Sequence, residues 1–347
     1  MKTKITNFIK SIPLALSGVA LGLAALGNVL RATFPAAAET TGAGAAGIIR
    51  YCLGAFALLL LLLVILRIAF DFSHVKQELT YTHKQDEWKT SIPLSSLATI
   101  TMAIMLLAGY IRPYASVASF ALAAWYVALA LQAAIMIFFA IRFIYKFKVY
   151  AVYPSWFIVA VGIVVASVTA VDMGIRIIGQ ISFYIGFALY FLVLALVIIK
   201  MVRAKYFMEA ARPTIAIFAA PMSLLVIGYF GSFRGTEQWS YPFFYFMLVF
   251  ALLVYAFVLF KMLSLLRIKF YATYAGFTFP LVISATAFRI GANVLQNQIL
   301  NTFAHFALWI AILACTFVII HYIKYFIFWA SFNRADKTVA NNTENVR

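Results

Sequence analysis

The 347-residue chain is 65% hydrophobic and only 11% charged, too little polar surface for a soluble domain, so the bilayer sets its architecture. Its formal charge is +17, but the basic residues fall in short clusters between apolar runs. They read as topology signals and contacts to anionic lipid, with no nucleic-acid partner implied. Cys52 and Cys315 lie in different apolar runs and suggest neither a disulfide framework nor a metal site.

The chain opens in the outline of a signal peptide, with Lys2, Lys4 and Lys10 before an apolar run and Ala36-Ala37-Ala38 after it. The run from Ile12 to Leu30 is longer than a cleaved apolar core and matches later segments, so it is taken as the first membrane span. Ten spans are predicted, at about 12–33, 47–70, 92–111, 114–142, 154–171, 175–202, 213–232, 240–264, 273–295 and 300–330. Each can cross a hydrocarbon core of about 30 Å at 1.5 Å per residue, and none alternates as a barrel strand would.

The odd spans are rich in small residues, such as Ser17-Gly18-Val19-Ala20-Leu21-Gly22 and Val161-Gly162-Ile163. The even ones are bulky, with an unbroken leucine run from Leu58 to Leu63. Small side chains suit close helix packing or a lumen, and large ones suit lipid. Prolines follow the same division. Pro13, Pro93, Pro154 and Pro213 open odd spans, whereas Pro221 and Pro280 sit inside them as expected kinks. The predicted fold class is therefore all-α and polytopic, with ten transmembrane helices as five helical hairpins around a central pore. Residues 1–332 make up this domain, and 333–347 form a polar cytoplasmic tail expected to be disordered. The expected pore lining is Gly18, Gly22, Gly162, Thr169, Gly228, Ala275 and Thr286.

Lysine and arginine crowd one set of span ends, which places both termini in the cytoplasm of a cytoplasmic-membrane protein. The opposite ends hold Arg31, Arg50, Arg112, Arg176, Arg234 and Arg289. All but Arg50 lie near the outer ends of odd spans, one per hairpin. Two readings stand: a ring at the outer mouth that attracts anions, or interfacial arginines snorkelling to headgroups. Arg289, furthest inside its span, is the strongest pore candidate. No acid sits mid-span, where a proton-coupled carrier places its relay. His305 and His321 share the tenth span on nearly opposite faces. Without a phosphate-binding loop, nucleophile elbow or paired acids, neither an enzyme nor a cofactor is expected. Phe279, a bulky ring just before Pro280 among small residues, is the candidate gate.

Four stretches resemble the tellurite-resistance/dicarboxylate transporter family, whose members include the bacterial tellurite-resistance protein A and the plant guard-cell slow anion channel. They are Pro13 to Asn28; Tyr153-Pro154-Ser155-Trp156-Phe157 with Val161-Gly162; Arg212-Pro213-Thr214 through Ala220-Pro221 to Gly228-Tyr229; and Phe277-Thr278-Phe279-Pro280. The resemblance implies a pore along the inner helices, a homotrimer with one pore per subunit, and an occluding phenylalanine at Phe279. The resulting expectation is an anion channel or passive anion permease for small inorganic or organic anions. The alternative is a secondary carrier or exporter of C4-dicarboxylates, sulfite or tellurite-related oxyanions. A membrane-embedded scaffold is a third class, but it has no use for five small-residue helices.

Overall fold

Ten helices long and apolar enough to cross a membrane follow one another along the chain: Leu16–Thr33 (α1), Ala45–Phe70 (α2), Ser91–Ile111 (α3), Ala115–Phe143 (α4), Trp156–Met173 (α5), Arg176–Arg203 (α6), Glu209–Phe233 (α7), Tyr241–Leu265 (α8), Ala272–Leu295 (α9) and Gln298–Phe328 (α10). The structure is a computed structural model that describes residues 8–34, 45–80, 88–143, 149–203 and 208–344. Lys2, Lys4 and Ala36-Ala37-Ala38 lie outside the described residues. The backbone of α10 stays helical to Glu344, through the stretch expected as an unstructured tail from 333. No Gly or Pro occurs after Gly291 to break it.

The five odd helices form a closed ring: α1 packs on α3, α3 on α5, α5 on α7, α7 on α9, and α9 back on α1. Each even helix packs on the odd helix before it and on the one after, with α10 closing onto α1. Between 67% and 83% of each odd span is buried, against 22% to 39% of each even span. The inner and outer roles read from small and bulky residues are the observed ones.

Lipid tails are as apolar as leucine, so hydrophobicity alone does not hold inner helices together. Polar side chains join them instead. Ser17 Oγ donates to the Ser96 carbonyl at 3.0 Å, linking α1 to α3. Trp156 Nε1 donates to Ser91 Oγ at 2.9 Å, linking α5 to α3. Ser167 Oγ donates to the Gly228 carbonyl at 3.0 Å, between α5 and α7. Ser284 Oγ donates to the Ala219 carbonyl at 3.0 Å, between α9 and α7. Thr278 Oγ1 donates to the Gly18 carbonyl at 3.1 Å and closes the ring from α9 to α1.

Three inner spans change helix type along their length, α5 and α7 with the backbone staying right-handed helical and α9 with a break at Thr278. In α5, helix Trp156–Val161 is separated at Gly162 from helix Val164–Met173. In α7, the 3₁₀ helix Glu209–Phe218 gives way to an α-helix at Ala219. In α9, the 3₁₀ helix Ala272–Phe277 gives way to one at Phe279. Pro280 stands in the first turn after the break at Thr278, and Pro221 two residues past the change from 3₁₀ to α-helix. A proline ring clashes with the carbonyl four residues earlier in an α-helix, so the preceding turns tighten to 3₁₀. Its missing N–H costs little in a first turn.

Candidate functional site

A cavity of about 60 Å³ lies inside the ring, with residues from all five odd helices in its wall. Gly18 comes from α1, Thr99 and Met102 from α3, Ile158 and Gly162 from α5, Ala220 and Pro221 from α7, and Ala275, Phe279 and Pro280 from α9. The wall is almost wholly apolar. Among the described residues the lining stops at Leu21, Met102, Gly162, Leu224 and Pro280, so the outer halves of the helices take no part. Along α9 the lining runs from Thr273 to Phe279 and Pro280.

On its other side the cavity joins a mouth of about 770 Å³, the two sharing Ala15, Ile92, Ser96 and Thr273. Lys10, Arg67, His74, Glu78, Tyr271 and Tyr325 also line this mouth. It lies at the lysine- and arginine-rich ends of the spans.

Local chemistry fixes the place of Phe279. Thr278, with φ −82° and ψ −84°, breaks the helix immediately before it. The Thr278 hydroxyl reaches both the Gly18 carbonyl and the Ala275 carbonyl, at 3.1 and 2.7 Å. On the facing helix, a Cβ at Gly22 would lie 2.6 Å from the Thr278 side chain and 2.9 Å from the Phe279 nitrogen. Only glycine permits that approach. The break, and with it the phenyl ring, is thus clamped to α1.

The expected lining residues divide. Gly18, Gly162 and Ala275 wall the cavity, as do Pro221, Phe279 and Pro280. Gly22 lies in the α1–α9 contact, and a Cβ at Gly228 would meet Ser167 and Val164 at 2.9 Å, in the α5–α7 contact. Thr169 accepts from Trp125 Nε1 at 2.7 Å, so its hydroxyl faces the outer helix α4. Thr286 is half-buried one helix face beyond the cavity, its hydroxyl donating to the Val282 carbonyl at 3.0 Å. Small residues serve both a lumen and close packing, and composition alone does not separate the two uses.

The arginines divide as well. Arg31, Arg176 and Arg234 are exposed, with Arg234 over the Phe230 ring at 4.8 Å. Arg112 and Arg289 are half-buried. Arg289 donates to Asn301 Oδ1 at 3.1 Å and to the Thr33 carbonyl at 3.4 Å, and contacts His305 Nε2 at 3.1 Å. It therefore bridges α9 to α10 and to the end of α1. Arg50, set aside in the sequence because it lies on an even helix, is the most deeply buried of the six. Its Nε donates to Asn28 Oδ1 at 2.8 Å, and its guanidinium sits 4.0 Å from the Tyr110 ring centroid.

Gln132 was also passed over, as one polar residue in the bulky α4. It is fully buried, accepts from the Thr101 hydroxyl, and donates to the Val159 carbonyl at 3.1 Å, beside the change in α5. An uncharged amide inside an otherwise lipid-facing span is the signal that marks it. Gln132→Leu removes both bonds, although the Thr101 hydroxyl keeps the Ala98 carbonyl at 2.8 Å, and is expected to destabilise the protein by about 1 kcal/mol. Thermal unfolding in detergent measures this, and an unchanged midpoint would remove Gln132 as the support of that change.

The family model described as SLAC1, voltage-dependent anion channel, matches residues 11–323, from the turn before α1 into α10. The chain belongs to this family. No curated protein matches it. The match spans all four stretches that carried the resemblance, and it makes this multi-pass membrane protein a member of an anion-channel and transporter family. In this member the cavity inside the ring is the candidate path.

Proposed function

We propose that this family member is a passive anion pathway of the cytoplasmic membrane, running inside the five odd helices and shut by Phe279. The observation that carries the reading is a cavity walled by all five inner helices, with the Phe279 ring in its wall. An apolar constriction blocks ions because it strips their water without offering replacement ligands.

The anion preference has two supports. The wide mouth presents Lys10 and Arg67, which raise local anion concentration. The α-helix beginning at Phe279, after the break at Thr278, starts beside the cavity, and its positive dipole end favours an anion where no side-chain cation reaches. Beyond the ring, the half-buried Arg289 and Arg112 are the cations nearest the proposed exit, and the exposed Arg31, Arg176 and Arg234 belong to the outer surface. Both termini lie on the cytoplasmic side. The exposed apolar faces of the even helices meet lipid and the neighbouring subunits of a homotrimer.

Purified protein in liposomes under a chloride-salt gradient tests this. In protein carrying Phe279→Ala, which removes the block, the expected reversal potential follows the anion gradient, with turnover above that of an alternating-access carrier. A cation-following potential would overturn the pathway. Slow, saturable exchange of dicarboxylates, sulfite or oxyanions would replace it with the carrier reading.

A further inference from the structure

Arg67 stands apart from the other cations of the mouth. It ends α2, is 5% exposed, and lines the wide mouth just below the narrow cavity. Its Nη2 donates to Glu78 Oε1, on the short helix Phe72–Thr80. Its Nε is buried and finds no partner among the described residues. The neighbouring charges are occupied with one another: Asp71 Oδ1 lies 2.7 Å from His74 Nδ1 and 3.8 Å from Lys10 Nζ.

The two members of the Arg67–Glu78 pair are unequally held. Glu78 has a side-chain exposure of 40%, so water can take it back at little cost. Arg67 is enclosed, and a buried guanidinium left without an anion is strongly unfavourable. Whatever displaces Glu78 must therefore itself be an anion. The unused Nε gives the guanidinium fork a donor that Glu78 does not fill.

We propose that Arg67 is an anion-binding site at the entrance, and that the Glu78 carboxylate is a tethered competitor for it. A small monovalent anion such as chloride and the Glu78 carboxylate take turns on one guanidinium, which sets the anion concentration at which the entrance fills. The site rests on the anion-pathway reading, but its test measures binding without flux, so the two fail separately.

The full chain, purified in detergent, is titrated with chloride and followed by chloride-NMR line broadening. Glu78→Gln keeps the side chain's size and removes its charge. It is expected to lower the half-saturating chloride concentration by about three- to tenfold, the range for a partly exposed pair on a buried arginine. Adding Arg67→Gln should abolish the gain. An unchanged affinity in Glu78→Gln, or a gain that survives loss of Arg67, would overturn the proposal. If Arg67→Gln does not elute as a folded species, Arg67→Lys decides. It keeps the charge but loses the fork, so in the Glu78→Gln background it should show intermediate affinity, and full retention of the gain would refute the site. Chloride binding at Arg67 in a folded Phe279→Ala protein that passes no anion would instead sink the pathway reading and leave the site standing.

Discussion

Phe279→Ala is expected to raise anion conductance at least about tenfold, because each 1.4 kcal/mol removed from a barrier is tenfold in rate. The ring lines the inner cavity, and truncation removes the apolar bulk that the proposal makes the block. Anion preference should be nearly unchanged, since neither the basic mouth nor the helix terminus moves. Phe279→Leu should give a partial rise. Phe277 is the control. It is fully buried with its ring 4.9 Å from that of Tyr274 and does not line the cavity. Phe277→Ala should cost about 3–5 kcal/mol as an ordinary buried phenyl and open nothing. Single-channel recording in planar bilayers reads both variants. A folded Phe279→Ala that conducts no better than wild type would end the gate hypothesis.

Gly22→Val should loosen the same gate from the opposite helix without touching the ring. Its Cβ would meet Thr278 at 2.6 Å and the Phe279 nitrogen at 2.9 Å. The second of these is backbone, which cannot rotate away. Overpacking of this kind costs about 1–3 kcal/mol. The strain falls where Thr278 bonds to the Gly18 carbonyl, so α9 is pushed off α1 and the seat of Phe279 shifts. The expected result is a lower unfolding midpoint together with a raised basal leak. Gly18→Ala is the matched control, since its Cβ would stand at an ordinary 3.4 Å from Ala275 Cβ and should be near neutral in both measurements. Equal midpoints for the two variants would show that the Gly22 contact does not seat the break.

Other features were only partly legible in the chain. Pro221 and Pro280 announced irregular inner helices, but a proline tells only that an α-turn before it is disfavoured. Whether the chain bends or changes helix type depends on its neighbours, and here the Thr278 hydroxyl reaches across to the Gly18 carbonyl of α1. Gly18 and Gly22 are one turn apart and look alike in sequence, yet one lines the cavity and the other is sealed against Thr278. Arg50 and Gln132 were hidden by their setting in lipid-facing helices. Nothing local in α2 reveals that Arg50 turns inward to Asn28, and in α4 the lone amide of Gln132 is the one local sign of its bond to Val159.

By itself the sequence determined the number of spans, the alternation of small-residue and bulky helices, the charge bias and the family. The first three follow from a constraint that acts on a helix alone: apolar length against bilayer thickness, side-chain size against neighbour distance, and lysine and arginine against translocation; the family was read from four motif stretches. Only the tertiary structure decided which face of each inner helix lines the cavity, where α5, α7 and α9 change helix type, and which cation is buried at the entrance. Those depend on the rotation of five helices about their own axes. That rotation is set by single contacts between residues far apart in the chain, such as the bond from Thr278 to the Gly18 carbonyl across 260 positions.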